Sequence, residues 1–188
     1  MTSFLMGFKK GNMQKSMIEG NTLKLILNFS IPLLLGNLFQ QFYNVVDAAI
    51  VGQTLGSYAL AAVGASSSVQ FLILGFCMGI CQGFAIMVSQ SYGVKRLDEM
   101  QTYIYAGAVW TAVTAFVVSI LVVVFCADIL HILQVNHEIF KDAYAYLAVI
   151  FAGIPFTLLY NYLSAILRAI GDSKTPFFFL AFSAVLNI

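Results

Sequence analysis

Asp47 is the only carboxylate in a long uncharged stretch. No Asp, Glu, Lys, Arg or His lies between Leu25 and Val46, and none between Ala48 and Val94. Upstream of it stand Asn37, Gln40, Gln41 and Asn44. On a helix these four and Asp47 fall within about 120° of arc, so they form one polar stripe on an otherwise apolar rod. A carboxylate flanked by amides has two uses. In a desolvated site it favours its neutral form and takes a proton; with amide and water oxygens around it, it holds a hard cation such as Na⁺. Pro32, four turns earlier, removes a backbone bond to the carbonyl of Asn28 and predicts a bend or weak point. A bendable helix carrying one cation-attracting group suggests the coupling element of a transporter. The bland alternative is a structural carboxylate at a helix end.

Other chemistry is hard to build from this chain. Cys77, Cys81 and Cys126 all sit in apolar runs and read as small buried residues. His131 and His137 are six apart, which puts them on no common helix face, and they read as solvated loop residues. No metal quartet, nucleophile–base pair or carboxylate pair is present, so the chain is not expected to be an enzyme or to carry a cofactor or resident metal.

The elements that must position Asp47 follow from composition. Of 188 residues 61% are hydrophobic and 9% charged, against ~25% charged in a soluble domain; the mean hydropathy is +0.91. The lipid bilayer is therefore a partner, and the fold class is all-α: a polytopic transmembrane helix bundle. A net charge of +1 gives no reason to expect nucleic acid. Residues 1–22, with Lys9, Lys10 and Lys15, read as a basic cytoplasmic tail, and the run that follows has no small-residue cleavage site. Residues 23–188 read as a transmembrane lobe with helices near 23–51, 58–92, 101–127, 142–168 and 176–188. Gly52 to Ser57 supplies the first turn. Residues 128–142 form a polar connection. Pro155 kinks the fourth helix, and Thr175 with Pro176 opens the fifth. Gly75, Gly79 and Gly83 make a groove on the second helix where a neighbour in the same bundle is expected to approach closely. The final run is about 20 Å long, short of the ~30 Å hydrocarbon core, which reads as a span cut by the end of the chain.

Alternation of spans places eight of the nine basic residues on one side and Lys141 alone on the other. By the positive-inside rule the N-terminus and the side holding Lys95, Arg96, Arg168 and Lys174 are cytoplasmic. Asp47 then lies toward the outer end of its helix. Arg168, Asp172 and Lys174 are expected to anchor a cytoplasmic loop.

The order and spacing of several short motifs resemble those of the multidrug and toxic compound extrusion (MATE) transporters. They are Ser30, Ile31 and Pro32; Gln40, Tyr43, Val46 and Asp47; Gly52; the run from Ala59 to Gly64; Val88 to Gly93; Leu167 and Arg168 followed by Gly171, Asp172, Lys174 and Pro176; and Leu186, Asn187 and Ile188. The likeness covers nearly all of the chain past the tail and looks closest to the bacterial DNA-damage-inducible-protein-F-like branch. It implies a parent with two pseudo-symmetric six-helix lobes around a cleft that opens to each side in turn, of which this chain would be helices 1 to 5 of the first lobe. It further implies a bacterial cytoplasmic-membrane antiporter exporting cationic or amphipathic organic compounds in exchange for H⁺ or Na⁺, and a need for the second lobe. Asp47 matches the ion-coupling carboxylate. Gln40, Tyr43, Asn44, Asn161 and Asn187 are then expected to line the cavity, and Pro32 to serve the bend. The nearest alternative, a lipid-linked oligosaccharide flippase of related fold, would want several basic residues in its cavity, and the helix interiors offer none. A non-transporting structural membrane protein is the third possibility.

Overall fold

The computed structural model describes residues 21–54 and 56–187, with the side chains of Tyr58, Ala62 and Asn187 outside the description. The expected tail, residues 1–20 of it, also lies outside. Among the described residues every regular element is a helix: α1 (Thr22–Thr54), α2 (Ser57–Gly93), α3 (Leu97–Val124), α4 (Cys126–Ile132), α5 (His137–Ala152), α6 (Ile154–Ala169) and α7 (Lys174–Asn187). The first three have 33, 37 and 28 residues, or about 50, 55 and 42 Å. Each exceeds the hydrocarbon thickness of about 30 Å. Helices α5 and α6 form a pair bent by 46°, long and apolar enough together to count as a fourth, broken span. This is an integral membrane protein built as an all-α bundle.

Three expected elements are corrected. The third helix starts at Leu97 rather than 101 and ends at Val124 rather than 127, because Asp98 and Glu99 occupy its first turn, where the helix dipole favours carboxylates. The polar connection at 128–142 is mostly helical. His131 lies in α4, and His137 opens α5 after Asn136, whose side chain accepts from the N–H of Glu138 at 3.2 Å. Both histidines are exposed, and their rings flank Phe140 with centroids 4.6 and 6.5 Å away. The single helix expected over 142–168 is two helices with an elbow at Gly153. Pro155 stands in the first turn of α6, where its missing N–H is least disruptive. Pro155 takes away the helical partner of the Phe151 carbonyl, which instead accepts a backbone N–H at the end of α5 and the Ser119 hydroxyl of α3, the latter at 2.7 Å in a buried hydrogen bond. The elbow is thus satisfied from a neighbouring helix.

Helix α2 is the centre of the bundle and packs on α6, α3 and α5, while α1 lies outermost and rests chiefly on α7. Gly36 is the one buried residue of α1; a Cβ there would stand 3.5 Å from Leu180 and 3.8 Å from Phe177 of α7. The core joins Cys77 and Cys81 of α2, Ala115 of α3, Leu147 and Phe151 of α5, and Ile154 and Leu158 of α6, all buried. Both thiols on α2 are free and buried, as the sequence suggested.

Close helix packing comes from a stripe the sequence reading passed over. The buried residues of α3 are Gly107, Thr111, Ala115 and Ser119, four small residues one turn apart, which let backbones approach. At Gly107 an added Cβ would meet the Tyr162 hydroxyl at 2.8 Å and the Phe84 ring at 2.9 Å. The hydroxyl of Tyr162 in turn donates to the carbonyl of Ile104 at 2.5 Å. By contrast, Gly75, Gly79 and Gly83 of α2 are exposed, with nothing within 4 Å of a Cβ built on them. The groove expected to receive a helix of this bundle is open among the described residues. At the start of α7 the cap is Asp172 rather than Thr175. Its carboxylate accepts from the N–H groups of Lys174 and Thr175 at 3.1 and 3.0 Å and from the Thr175 hydroxyl at 2.6 Å.

Candidate functional site

Asp47 stands two turns before the end of α1 and is half-buried. A helix that continues to Thr54 presents it firmly, and the side chain lies in the electrostatic neighbourhood of Tyr146 on α5, also half-buried. Tyr43, one turn below, is half-buried on the same side of α1. Asn44 is exposed and donates its amide to Gln41 at 3.3 Å. Gln40 and Asn37 are exposed as well. The structure therefore gathers Tyr43, Asn44 and Asp47 on adjoining turns and adds Tyr146 from a second helix.

The polar stripe is open along its length, and so is the apolar face beside it, where Leu34, Leu38, Phe42 and Val45 are all more than 60% exposed. Lipid suits the second face. It does not suit the first, because intramembrane amides and carboxylates face protein or a water-filled cavity. The amides of the stripe call for a polar wall or water that the described residues do not supply. A carboxylate there can take up a proton or a small cation, and the amides below it can hold a polar or cationic guest.

The other expected residues are less tied to Asp47. Asn161 of α6 is half-buried and donates to the carbonyl of Thr157 one turn back at 2.8 Å, so its amide N–H is engaged by its own helix. Asn187 is the last residue of α7, and its side chain lies outside the description. Pro32 sits within a helix that is continuous from Thr22 to Thr54. The weak point it creates has not interrupted the helix. Among the described residues no cluster of His, Cys, Asp and Glu is arranged to hold a metal.

Two residues were missed. Tyr146 gives no local signal, since nothing in the run from Ala143 to Leu147 tells which of its two tyrosines faces α1. Arg168, expected only to anchor a cytoplasmic loop, stands in the last turn of α6 and lines a cavity between α1, α2 and α6. That cavity lies at the opposite end of α1 from Asp47.

The probable multidrug resistance protein YpnP of Bacillus subtilis is 34% identical over 169 residues, covering 90% of this chain and 38% of that protein. The probable multidrug resistance protein YoeA of the same organism is 33% identical over 160 residues, covering 85% and 35%. This chain thus spans less than two fifths of the length of either relative. Among solved structures, a MOP superfamily transporter from Pyrococcus furiosus superposes with a TM-score of 0.86 at 22% identity, over 94% of this chain and 39% of that one. At that identity the likeness concerns the fold alone. Residues 32–188 match the MatE family, and with most of its length inside that match the chain belongs to the MatE family of transporters.

Proposed function

We propose that this chain supplies the ion-coupling lobe of a secondary active antiporter. The antiporter exports cationic or amphipathic organic compounds in exchange for H⁺ or Na⁺ by alternating access. The observation that carries the proposal is Asp47, a half-buried carboxylate near the outer end of α1 with Tyr146 across from it and an open stripe of amides below. The matched relatives bear the names of multidrug resistance proteins, which agrees with it.

The mechanism follows from charge. With Asp47 ionised, the stripe attracts a cationic guest. Loading a proton or Na⁺ on the carboxylate cancels that attraction and releases the guest to the outside. The coupling ion drives alternation only if it favours one conformer over the other. Helix α1 is the element able to respond: it is barely packed into the bundle, and Pro32 leaves its ladder one bond short. The amides of Gln40, Asn44, Asn161 and Asn187 are the proposed lining of the cavity. The N-terminus is placed in the cytoplasm of a bacterial cell, and the remainder of a full-length protein supplies the opposite wall of the cleft.

The flippase alternative requires several basic groups in the cavity to hold a pyrophosphate. Among the described residues no Lys or Arg lies on the Asp47 stripe, and the cavity-lining Arg168 is at the other end. Efflux of a fluorescent organic cation from vesicles tests the proposal, using a full-length protein that contains this chain and imposed H⁺ or Na⁺ gradients. Flux that follows one gradient supports the antiporter and names its ion. Absence of flux under both gradients, with lipid-linked sugar crossing instead, overturns it in favour of the flippase.

A further inference from the structure

At the end of the bundle remote from Asp47 is a cavity of about 380 Å³ between α1, α2 and α6. Phe29 and Leu33 of α1 form one wall, Gln82, Ser89 and Gln90 of α2 another, and Arg168 of α6 enters from the third side. Arg168 is half-buried; among the described residues its guanidinium makes no ion pair or hydrogen bond, and only Tyr160 lies in its electrostatic neighbourhood. A guanidinium carries five N–H donors in a planar fork that cannot be deprotonated. One held partly out of water calls for an anion with matching oxygens, and phosphate is one of the two groups that fork fits.

Depth in the membrane says which phosphate. Measured along the helices from the α1–α2 turn, the cavity spans about 32 Å at Leu33 to about 50 Å at Gln90. The hydrocarbon core is about 30 Å thick, and the bilayer with headgroups is 40–45 Å. With the α1–α2 turn set at the headgroups of one surface, the cavity falls across the headgroup layer of the other. It also lies at the end that carries Lys24, Lys95, Arg96 and Lys174, so its surroundings attract anionic lipid. Its walls are amphipathic: amide and hydroxyl groups on α2 flank the guanidinium, while Phe29, Leu33 and the 58%-exposed Ile86 offer an apolar track toward the membrane interior. A free phosphate has no use for that track, whereas an acyl chain does.

We infer that the Arg168 cavity binds the phosphate of an anionic phospholipid, with the acyl chains laid against Phe29, Leu33 and Ile86. Assignment to the inner leaflet rests on the orientation proposed above; the binding itself does not. Because Phe29 and Leu33 bracket Pro32, the bound lipid touches α1 on both sides of its weakest point and couples lipid occupancy to the shape of that helix.

The test is native mass spectrometry of a purified full-length protein that contains this chain, released from micelles doped with equal phosphatidylglycerol and phosphatidylcholine. Wild type is expected to retain phosphatidylglycerol, and Arg168→Gln to lose it by about tenfold, the cost of one charge-assisted contact. Arg168→Lys, which keeps the charge, is expected to retain an intermediate share and so separates loss of binding from loss of fold. Lys174→Gln, which removes a neighbouring charge outside the cavity, is expected to lose no more than about twofold, its share of the surrounding attraction. Equal retention in Arg168→Gln overturns the site, as does an equal loss in Lys174→Gln, which means diffuse attraction. Release of the lipid by millimolar inorganic phosphate overturns the lipid assignment in favour of a free anion. None of these outcomes depends on transport or on orientation, so a failure here is distinct from a failure of the antiporter.

Discussion

The phenol of Tyr146 is placed where it can answer the charge on Asp47, and removing its hydroxyl isolates that role. Tyr146→Phe keeps the ring and its packing. If the hydroxyl helps hold the loaded ion or its proton, the H⁺ or Na⁺ concentration for half-maximal efflux rises about fivefold, the equivalent of about 1 kcal/mol, with unchanged flux at saturating gradient. An unshifted half-maximum removes Tyr146 from the site. A structural contrast is Gly107, whose added Cβ would press on the Tyr162 hydroxyl and on Phe84. Gly107→Ala is expected to destabilise the bundle by about 1–3 kcal/mol, as overpacking does, read as an earlier midpoint in an SDS unfolding titration. The same substitution at Gly79, which faces open space, is expected to leave that midpoint in place.

At the scale of elements, two prolines act in opposite ways. Pro155 begins a helix, and the carbonyl it leaves over is taken up by Ser119. Ser119→Ala leaves that buried carbonyl with only its backbone donor. The expected loss is about 0.6–1.7 kcal/mol, the range for interhelical hydrogen bonds in membranes, again read in an SDS titration, and it should localise as faster amide exchange around Gly153. Pro32 has no such rescue within α1 and sits in a helix that is outermost in the bundle. Pro32→Ala restores the missing bond to Asn28. If α1 must bend during transport, the variant binds substrate normally and turns over several-fold more slowly; an unchanged rate means that α1 moves as a rigid rod.

For the whole molecule, what the sequence revealed and concealed divides along one line. Spans declared by uncharged runs were legible: α1 and α2 fall within a few residues of their expected bounds, and Asp47 stands out because nothing near it is charged. The fold class needed only composition. What depended on one helix meeting another was hidden. A three-glycine stripe on α2 looked like a packing face and is open, while the working stripe on α3 mixes glycine with threonine, alanine and serine and shows no simple motif. The elbow at Gly153 was masked by continuous hydrophobicity across Pro155, and α4 by Asp128 and His131 within its seven residues. At the site, Tyr43, Asn44 and Asp47 were readable because they share a helix. Tyr146 was not, because its relation to Asp47 spans about a hundred positions and exists only once α5 is set beside α1.

Asp47 is the group proposed to link ion entry to export. Its most direct test is gradient-driven efflux of a fluorescent organic cation by the full-length protein carrying Asp47→Asn, measured beside wild type in vesicles of equal protein content. The amide preserves size and hydrogen bonding but cannot take up a proton and holds Na⁺ only weakly. The account predicts that export driven by the coupling gradient falls by at least about a hundredfold while binding of the organic cation remains detectable. Gradient-driven export at the wild-type rate in Asp47→Asn would contradict it and move the coupling site elsewhere in the full-length protein.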